Sequence, residues 1–166
     1  MLEAILRHPH LYDPGRRMVK PPVVQAAGML RAVSRGIDTT AWAWLCESAG
    51  QYLFMPPNVS GWDDSRWLDT ATWRGRWWIA QYALQPYALD PGKAAQPYDA
   101  TALLNGALAF WNHPDLTKST HAALLAFAQK ALSDARAESW KRKQYSVMTQ
   151  NALRQLIAVS PDLQTA

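Results

Sequence analysis

Cysteine is almost absent from this sequence of 166 residues, which contains only one, Cys46. A single thiol excludes a disulfide within the sequence, and it excludes a zinc site built from cysteines of one chain. Because Cys46 lies in the apolar run AWAWLCESA, we expect a buried and unreactive thiol rather than a nucleophile.

Several other signatures are missing as well. No run of residues approaches the roughly 18 apolar positions that a membrane-spanning helix needs. The first residues lack the basic stretch, apolar core and cleavage site of a signal peptide, so the sequence leaves the cellular location open.

Glycine-rich phosphate loops and a Gly-x-Ser-x-Gly nucleophile motif are absent. The four histidines, His8, His10, His113 and His121, do not have the spacing of a metal site. We expect neither a cofactor nor a metal.

The positive charge is small and evenly spread. The net charge is +4, with +2 in residues 1–83 and +2 in residues 84–166. A nucleic-acid-binding protein more often concentrates its basic residues on one face, so we do not expect such a partner. The densest basic cluster, residues 141–143 beside Trp140, is typical of a solvated helix face.

The composition indicates a folded, all-α protein. Hydrophobic residues make up 49% and charged residues 18% of the sequence, and 11 prolines divide it into short segments. Apolar residues recur at spacings of three and four, and no segment alternates with a period of two. We therefore expect an irregular bundle of about six to seven short helices without a sheet. Residues 1–166 are predicted to form one domain, in which subregions 1–85 and 98–166 are joined by a crossing rich in proline and glycine.

Capping signals predict where the helices begin and end. Asp38, Asp69 or Thr70, Asp99, and Thr117 or Ser119 are expected to cap helices. Gly36 and Gly50 are expected to end them. Buried faces are predicted at these positions: Trp73, Trp77, Ala80 and Leu84; His121, Leu124, Leu125, Ala128 and Leu132; Tyr145, Met148, Ala152, Leu153, Leu156 and Val159.

The segment from Gln51 to Trp78 holds five of the nine tryptophans. Its first part, the loop Gln51–Leu68, has no helical period because prolines and a glycine interrupt it. Apolar side chains in this loop are expected to fasten it onto the helices: Phe54, Met55, Val59, Trp62 and Trp67.

The same segment supplies the candidate binding patch, since exposed tryptophans often mark interaction sites. The predicted patch consists of Trp62, Asp63, Asp64, Arg66, Trp67 and Trp78. Trp62 and Trp78 are the tryptophans most expected to face solvent. The carboxylates beside Arg66 could serve a glycoside-cleaving site. A turn at Asp63 and Asp64 with a helix cap at Asp69 is the preferred interpretation.

Three motifs together resemble a known family. They are the segment DPGRRMVKPP, the loop Gly50-Gln51-x-Leu53-Phe54-x-Pro56-Pro57-x-x-x-Gly61-Trp62 with its later Trp67-Leu68 pair, and the closing LRQLIAVSPDLQ. In that order they are similar to the C-terminal part of the bacterial domain-of-unknown-function 1800 family. Leu163 replaces the aromatic residue that the family has near its end.

The resemblance implies architecture but no chemistry, because the family has no established activity. Members of the family are longer and carry histidine-rich motifs upstream, whereas Phe110–His113 offers only a short look-alike elsewhere. The resemblance therefore implies that this chain is a C-terminal fragment, and that its full-length relatives are exported.

Three functions stay open at this point. The chain could be an interaction module whose patch binds a partner protein, the missing N-terminal portion or a glycan. It could be a non-catalytic fragment of a larger, hydrolytic enzyme. It could also be a scaffold, in which case Trp62→Ala would cost about 3 to 5 kcal/mol of stability without altering any binding.

Overall fold

A computed structural model describes residues 1–13, 15, 17–134 and 139–165. Pro14 and Arg16 of the segment DPGRRMVKPP lie outside the described residues. The α-helices are α1 (Leu2–Leu6), α2 (Pro22–Ala32), α3 (Ala41–Ser48), α4 (Thr70–Leu84), α5 (Ala100–Phe110), α6 (Lys118–Ser133), α7 (Ser139–Ala158) and α8 (Pro161–Gln164). Short 3-10 helices cover Pro9–Leu11, Asp64–Arg66 and Gln85–Tyr87.

The all-α prediction is confirmed. The described part of the chain has eight α-helices, slightly more than the six to seven expected. Extended pairing in these residues is limited to two isolated bridges, Val19 with Thr165 and Asn58 with Gly61. No sheet forms among them.

The helices pack in two groups around a shared core. Helices α2, α3 and α4 contact one another, α7 packs on α5 and α6, and α4 also contacts α7. One hydrophobic cluster draws buried residues from both groups, such as Leu45 of α3, Ile79 of α4, Leu103 of α5 and Ile157 of α7. Helix α1 stands apart, since none of its residues is buried. Its apolar side chains Leu2, Ile5 and Leu6 are all exposed.

Most helix ends follow the predicted signals. Gly50 has a φ of 97° and follows α3, where the Gln51 N–H donates to the Cys46 carbonyl at 2.9 Å. The Asp99 carboxylate accepts from the Ala102 N–H at 2.7 Å at the start of α5.

Two expected helix ends are wrong. Ser34, with a φ of 53°, ends α2 in the left-handed region, two residues before the predicted Gly36. Asp38 does not cap α3, because its carboxylate accepts from the Trp42 indole N–H at 3.0 Å and pairs with Arg35 at 2.8 Å. These bonds, the one from Trp42 foremost, lower the pKa of Asp38.

Helices α3 and α4 approach to backbone contact at Gly75. A Cβ atom placed on Gly75 would lie 2.5 Å from the backbone of Ser48 and Ala49. Only glycine fits at this crossing, and the close approach turns the side of α4 that contains Gly75 toward α3. Trp77, predicted to be buried, is therefore exposed, while Ala80 and Leu84 are buried as expected.

The predicted faces of α6 and α7 also need correction. His121 is exposed, although Leu124, Ala128 and Leu132 of α6 are buried. In α7 the predicted Tyr145 and Met148 are exposed, and Ser146, Val147 and Gln150 are buried instead.

Local contacts explain why polar residues of α7 are buried. Gly106 of α5 leaves room for the Gln150 side chain, since a Cβ there would lie 3.2 Å from its terminal amide. The Ser146 hydroxyl donates to the Lys143 carbonyl at 2.9 Å. The Gln150 amide can donate to the Leu103 carbonyl at 2.9 Å and accept from the Ala107 N–H at 3.0 Å. Because these polar groups have partners inside, burial of α7 does not follow hydrophobicity.

Candidate interaction surfaces

Arg76 of α4 is the largest fully buried side chain of the described residues. Its guanidinium donates to the carbonyls of Trp67 at 2.8 Å and Lys20 at 2.7 Å. It also donates to the side-chain oxygens of Gln25 at 2.9 Å and Gln164 at 3.2 Å. One side chain thus connects the loop, α2, α8 and the segment before α2.

These four acceptors are carbonyl oxygens rather than carboxylates. Burial lowers the pKa of Arg76 to about 10, so the guanidinium stays protonated at neutral pH. The nearby Cys46 is buried as expected, and burial raises the pKa of its thiol to about 11. A thiol in this state is protonated and poorly nucleophilic at neutral pH, as the sequence predicts.

The three motifs behind the family resemblance meet at Arg76. Lys20 belongs to the first motif, Trp67 to the second and Gln164 to the third, and each binds the guanidinium. Lys20 and Gln164 also pair directly, since the Lys20 N–H donates to the Gln164 carbonyl at 2.8 Å. The motifs therefore have a structural role that accounts for their occurring together.

The two ends of the loop Gln51–Leu68 are fixed to the helices. Gln51 is buried and its side-chain oxygen accepts from the Val23 N–H, at the start of α2, at 3.0 Å. Trp67 is only 7% exposed, and its indole N–H donates to the Gly50 carbonyl at 3.3 Å. A side chain at Gly50 would crowd the Trp67 ring at 3.1 Å. Trp67 is therefore an anchor of the loop and does not belong to an exposed patch.

The middle of the loop does not fasten it to the helices as predicted. Phe54 is 86% exposed, and Met55 and Val59 are also exposed. Tyr52, Leu53 and Leu68 add further exposed apolar surface at both ends of the loop. Exposed apolar side chains at this density mark interaction sites in folded proteins.

The polar members of the predicted patch form a turn. The Asp63 carboxylate accepts from the Ser65 N–H at 3.2 Å, at the start of the 3-10 helix. Arg66 pairs with Asp69 at 3.2 Å on the surface. Asp64 is exposed. The Asp63 contact is that of a turn. Asp69 occupies the N-cap position of α4, but its carboxylate pairs with Arg66 and makes no capping hydrogen bond.

The two tryptophans that were expected to face solvent lie in different places. Trp62 is half-buried within the loop, and its indole N–H donates to the Tyr52 carbonyl at 3.2 Å. Trp78 is 39% exposed on α4, where the Arg74 guanidinium lies 5.0 Å from its ring centroid. Trp78 lines a groove with Trp44 of α3, and no loop residue lines that groove.

Neither a metal cluster nor a membrane-spanning helix is found in the described part of the chain. No group of three or more histidine, cysteine or acidic side chains there could hold a metal ion. None of its helices is both long and apolar enough to cross a bilayer.

The fold and these surfaces define an all-α protein in which a buried arginine joins an ordered, apolar loop to the helices. The chain belongs to the DUF1800 family, whose model, described as a protein of unknown function, matches residues 1–165. No curated protein matches the chain. No solved structure matches it either.

The roles of two residues, Arg76 and Trp44, were not predicted from the sequence. Nothing in the sequence near Arg76 indicates its burial, because its hydrogen-bond partners in α2, α8 and the segment before α2 are distant in the sequence. Trp44 lies in the same apolar run as Cys46. Helical periodicity is the signal that could have placed exposed Trp44 on a different side of α3 from buried Leu45.

Proposed function

We propose that this chain is a helical interaction module that docks another protein through the loop Gln51–Leu68. The observation that carries the proposal is the exposure of Phe54, Met55 and Val59 on a loop whose two ends are anchored. A fixed apolar surface loses little conformational entropy on binding, which favours affinity. The motif resemblance supports the further proposal that the chain corresponds to the C-terminal part of bacterial family members, with any catalytic centre elsewhere.

The chemistry of the loop favours a protein over a glycan as its partner. Leu53 and Val59 are aliphatic and offer no hydrogen-bonding group to sugar hydroxyls, and the Met55 thioether is only a weak acceptor. Phe54 and Met55 together supply the aromatic and adaptable side chains that are enriched at protein interfaces.

The backbone of Phe54 gives a second reason. Phe54 has a φ of 65°, in the left-handed region that bulky residues rarely adopt. The adjoining turn is held by the Tyr52 carbonyl, which accepts from the Met55 N–H at 3.1 Å. A strained conformation that exposes a phenyl ring, rather than burying it, is typical of a recognition residue.

Photo-crosslinking from Val59 tests the proposal. With a benzophenone amino acid at position 59, we expect a discrete covalent adduct whose partner is identified by mass spectrometry. The purified partner should then bind this chain, and Phe54→Ser should weaken binding about 10- to 100-fold in calorimetry.

The matched control carries the same benzophenone at Lys118, an exposed position at the start of α6. Adducts that form equally from Lys118, or that persist unchanged in Phe54→Ser, would refute docking through the loop. If adducts form only between two copies of this chain, the loop mediates self-association, and the proposal of a distinct partner protein is wrong.

A further inference from the structure

A second surface lies on α3 and α4, away from the loop. An open groove of about 420 Å³ is lined by Trp44, Leu45, Trp78, Gln81, Tyr82 and Gln85. A neighbouring groove of about 280 Å³ shares Gln81 and Gln85 and adds Tyr87, Asn151, Arg154 and Gln155. The two grooves therefore adjoin at the shared glutamines, and the pair is called the cleft below.

The first half of the cleft presents aromatic rings. Trp44 is 62% exposed and Trp78 is 39% exposed, which is unusual for the residue type with the largest apolar surface. Tyr82 lies behind them, packed edge-on against Trp42 with ring centroids 5.0 Å apart. The Arg74 guanidinium covers one face of the Trp78 ring. The remaining exposed faces of Trp44 and Trp78 are flat apolar surfaces of the kind that stack on the C–H face of a pyranose ring.

Side-chain amides occupy the middle of the cleft. Gln81 and Gln85 are both exposed, and neither side chain has a hydrogen-bond partner among the described residues. They are four positions apart, so they lie one helical turn from each other. Each amide offers donors and an acceptor in one plane, which suits neighbouring sugar hydroxyls.

The second half of the cleft contains a single charged residue, Arg154. One of its terminal nitrogens donates to the Tyr87 carbonyl at 2.9 Å, and the guanidinium carbon lies 4.3 Å from the centroid of the Phe110 ring. No carboxylate of the described residues pairs with Arg154, and neither groove is lined by an acidic residue. A fixed guanidinium without an acidic partner is suited to a carboxylate on the ligand.

From this juxtaposition we infer that the cleft binds an acidic oligosaccharide. The sugar rings stack on Trp44 and Trp78, the hydroxyls bond to Gln81 and Gln85, and a uronic-acid carboxylate meets Arg154. This site goes beyond the docking proposed for the loop and shares no residue with it.

Calorimetric titration tests the inference with tetrasaccharides of galacturonate, mannuronate and hyaluronan, with cellotetraose as the neutral probe. We expect at least one acidic tetrasaccharide to bind about 10-fold or more tightly than cellotetraose. Trp44→Ala should weaken that binding at least 10-fold. Because Trp44 is largely exposed, the variant should keep the melting temperature of the parent protein.

Trp140→Ala is the matched control, since Trp140 is 56% exposed on α7 and lines neither groove. It should bind the acidic tetrasaccharide as the parent protein does. The inference is overturned if no acidic tetrasaccharide binds, if cellotetraose binds equally well, or if both tryptophan variants have the same affinity. Phe54→Ser should leave saccharide binding unchanged, so failure here and failure of loop docking are distinguishable.

Discussion

Replacing Arg76 by methionine is expected to lower the free energy of unfolding by about 3 to 5 kcal/mol, because buried acceptors lose their donor. Methionine fills much of the same volume but donates no hydrogen bond. It leaves the carbonyls of Lys20 and Trp67 and the side-chain oxygens of Gln25 and Gln164 without their donor. Each unsatisfied buried acceptor costs about 1 to 3 kcal/mol, and partial relaxation reduces the total.

Urea denaturation followed by tryptophan fluorescence measures this effect. Arg74→Ala is the matched control, because Arg74 is two positions away on the same helix and is exposed. We expect that control to change stability by less than about 1 kcal/mol.

Arg76→Lys separates charge from geometry. Lysine retains the positive charge but has one nitrogen, which cannot donate to four acceptors arranged around a guanidinium. A loss of about 2 kcal/mol or more is expected for this variant. Equal stability of the parent protein and Arg76→Met would refute the role assigned to Arg76.

Gly75→Ala is expected to destabilise the protein by about 3 kcal/mol or more. The new methyl group would lie 2.5 Å from the Ser48 carbonyl group and the Ala49 nitrogen. Backbone atoms of α3 cannot rotate away as a side chain can, so α3 and α4 must separate along their interface. Helix propensity alone favours alanine by about 1 kcal/mol and cannot offset this clash.

Gly28→Ala is the matched control for Gly75→Ala, and we do not expect it to destabilise the protein. Gly28 lies within α2, and a Cβ there would meet no atom within 4 Å. We expect this variant to be as stable as the parent protein or more stable by up to about 1 kcal/mol. If Gly75→Ala and Gly28→Ala had the same melting temperature, α3 and α4 would not be in backbone contact at Gly75.

Helix positions could be read from the sequence because they depend on local signals. Asp99 caps α5 and Gly50 ends α3 through contacts within a few residues of the chain. The predicted cap at Asp38 was wrong because its carboxylate binds the Trp42 indole and the Arg35 guanidinium instead of the backbone N–H groups at the start of α3.

Buried faces were harder to predict, because they depend on neighbours that hydrophobicity does not reveal. Trp77 is displaced from the core because α3 lies against Gly75. Arg76 is buried because acceptors from distant segments surround it, the farthest being Gln164. No periodicity in α4 could have indicated those acceptors.

The candidate patch was predicted in part. Trp78 does line an open groove, but its neighbour there is Trp44, which comes from a different helix. Trp67 turned out to be an anchor, because its indole N–H binds Gly50 and its carbonyl binds Arg76. The exposure of Phe54 could not be foreseen, since an apolar side chain in an ordered loop is expected to pack.

The loop Gln51–Leu68 has anchored ends and a free apolar middle. The unfolding free energy of the double variant Phe54→Ser and Met55→Ser tests it most directly, because both side chains are exposed. If the middle of the loop is free for a partner, the double variant should match the parent protein within about 0.5 kcal/mol in urea denaturation. A loss of about 3 kcal/mol would show that Phe54 and Met55 hold the fold together, and it would contradict the claim.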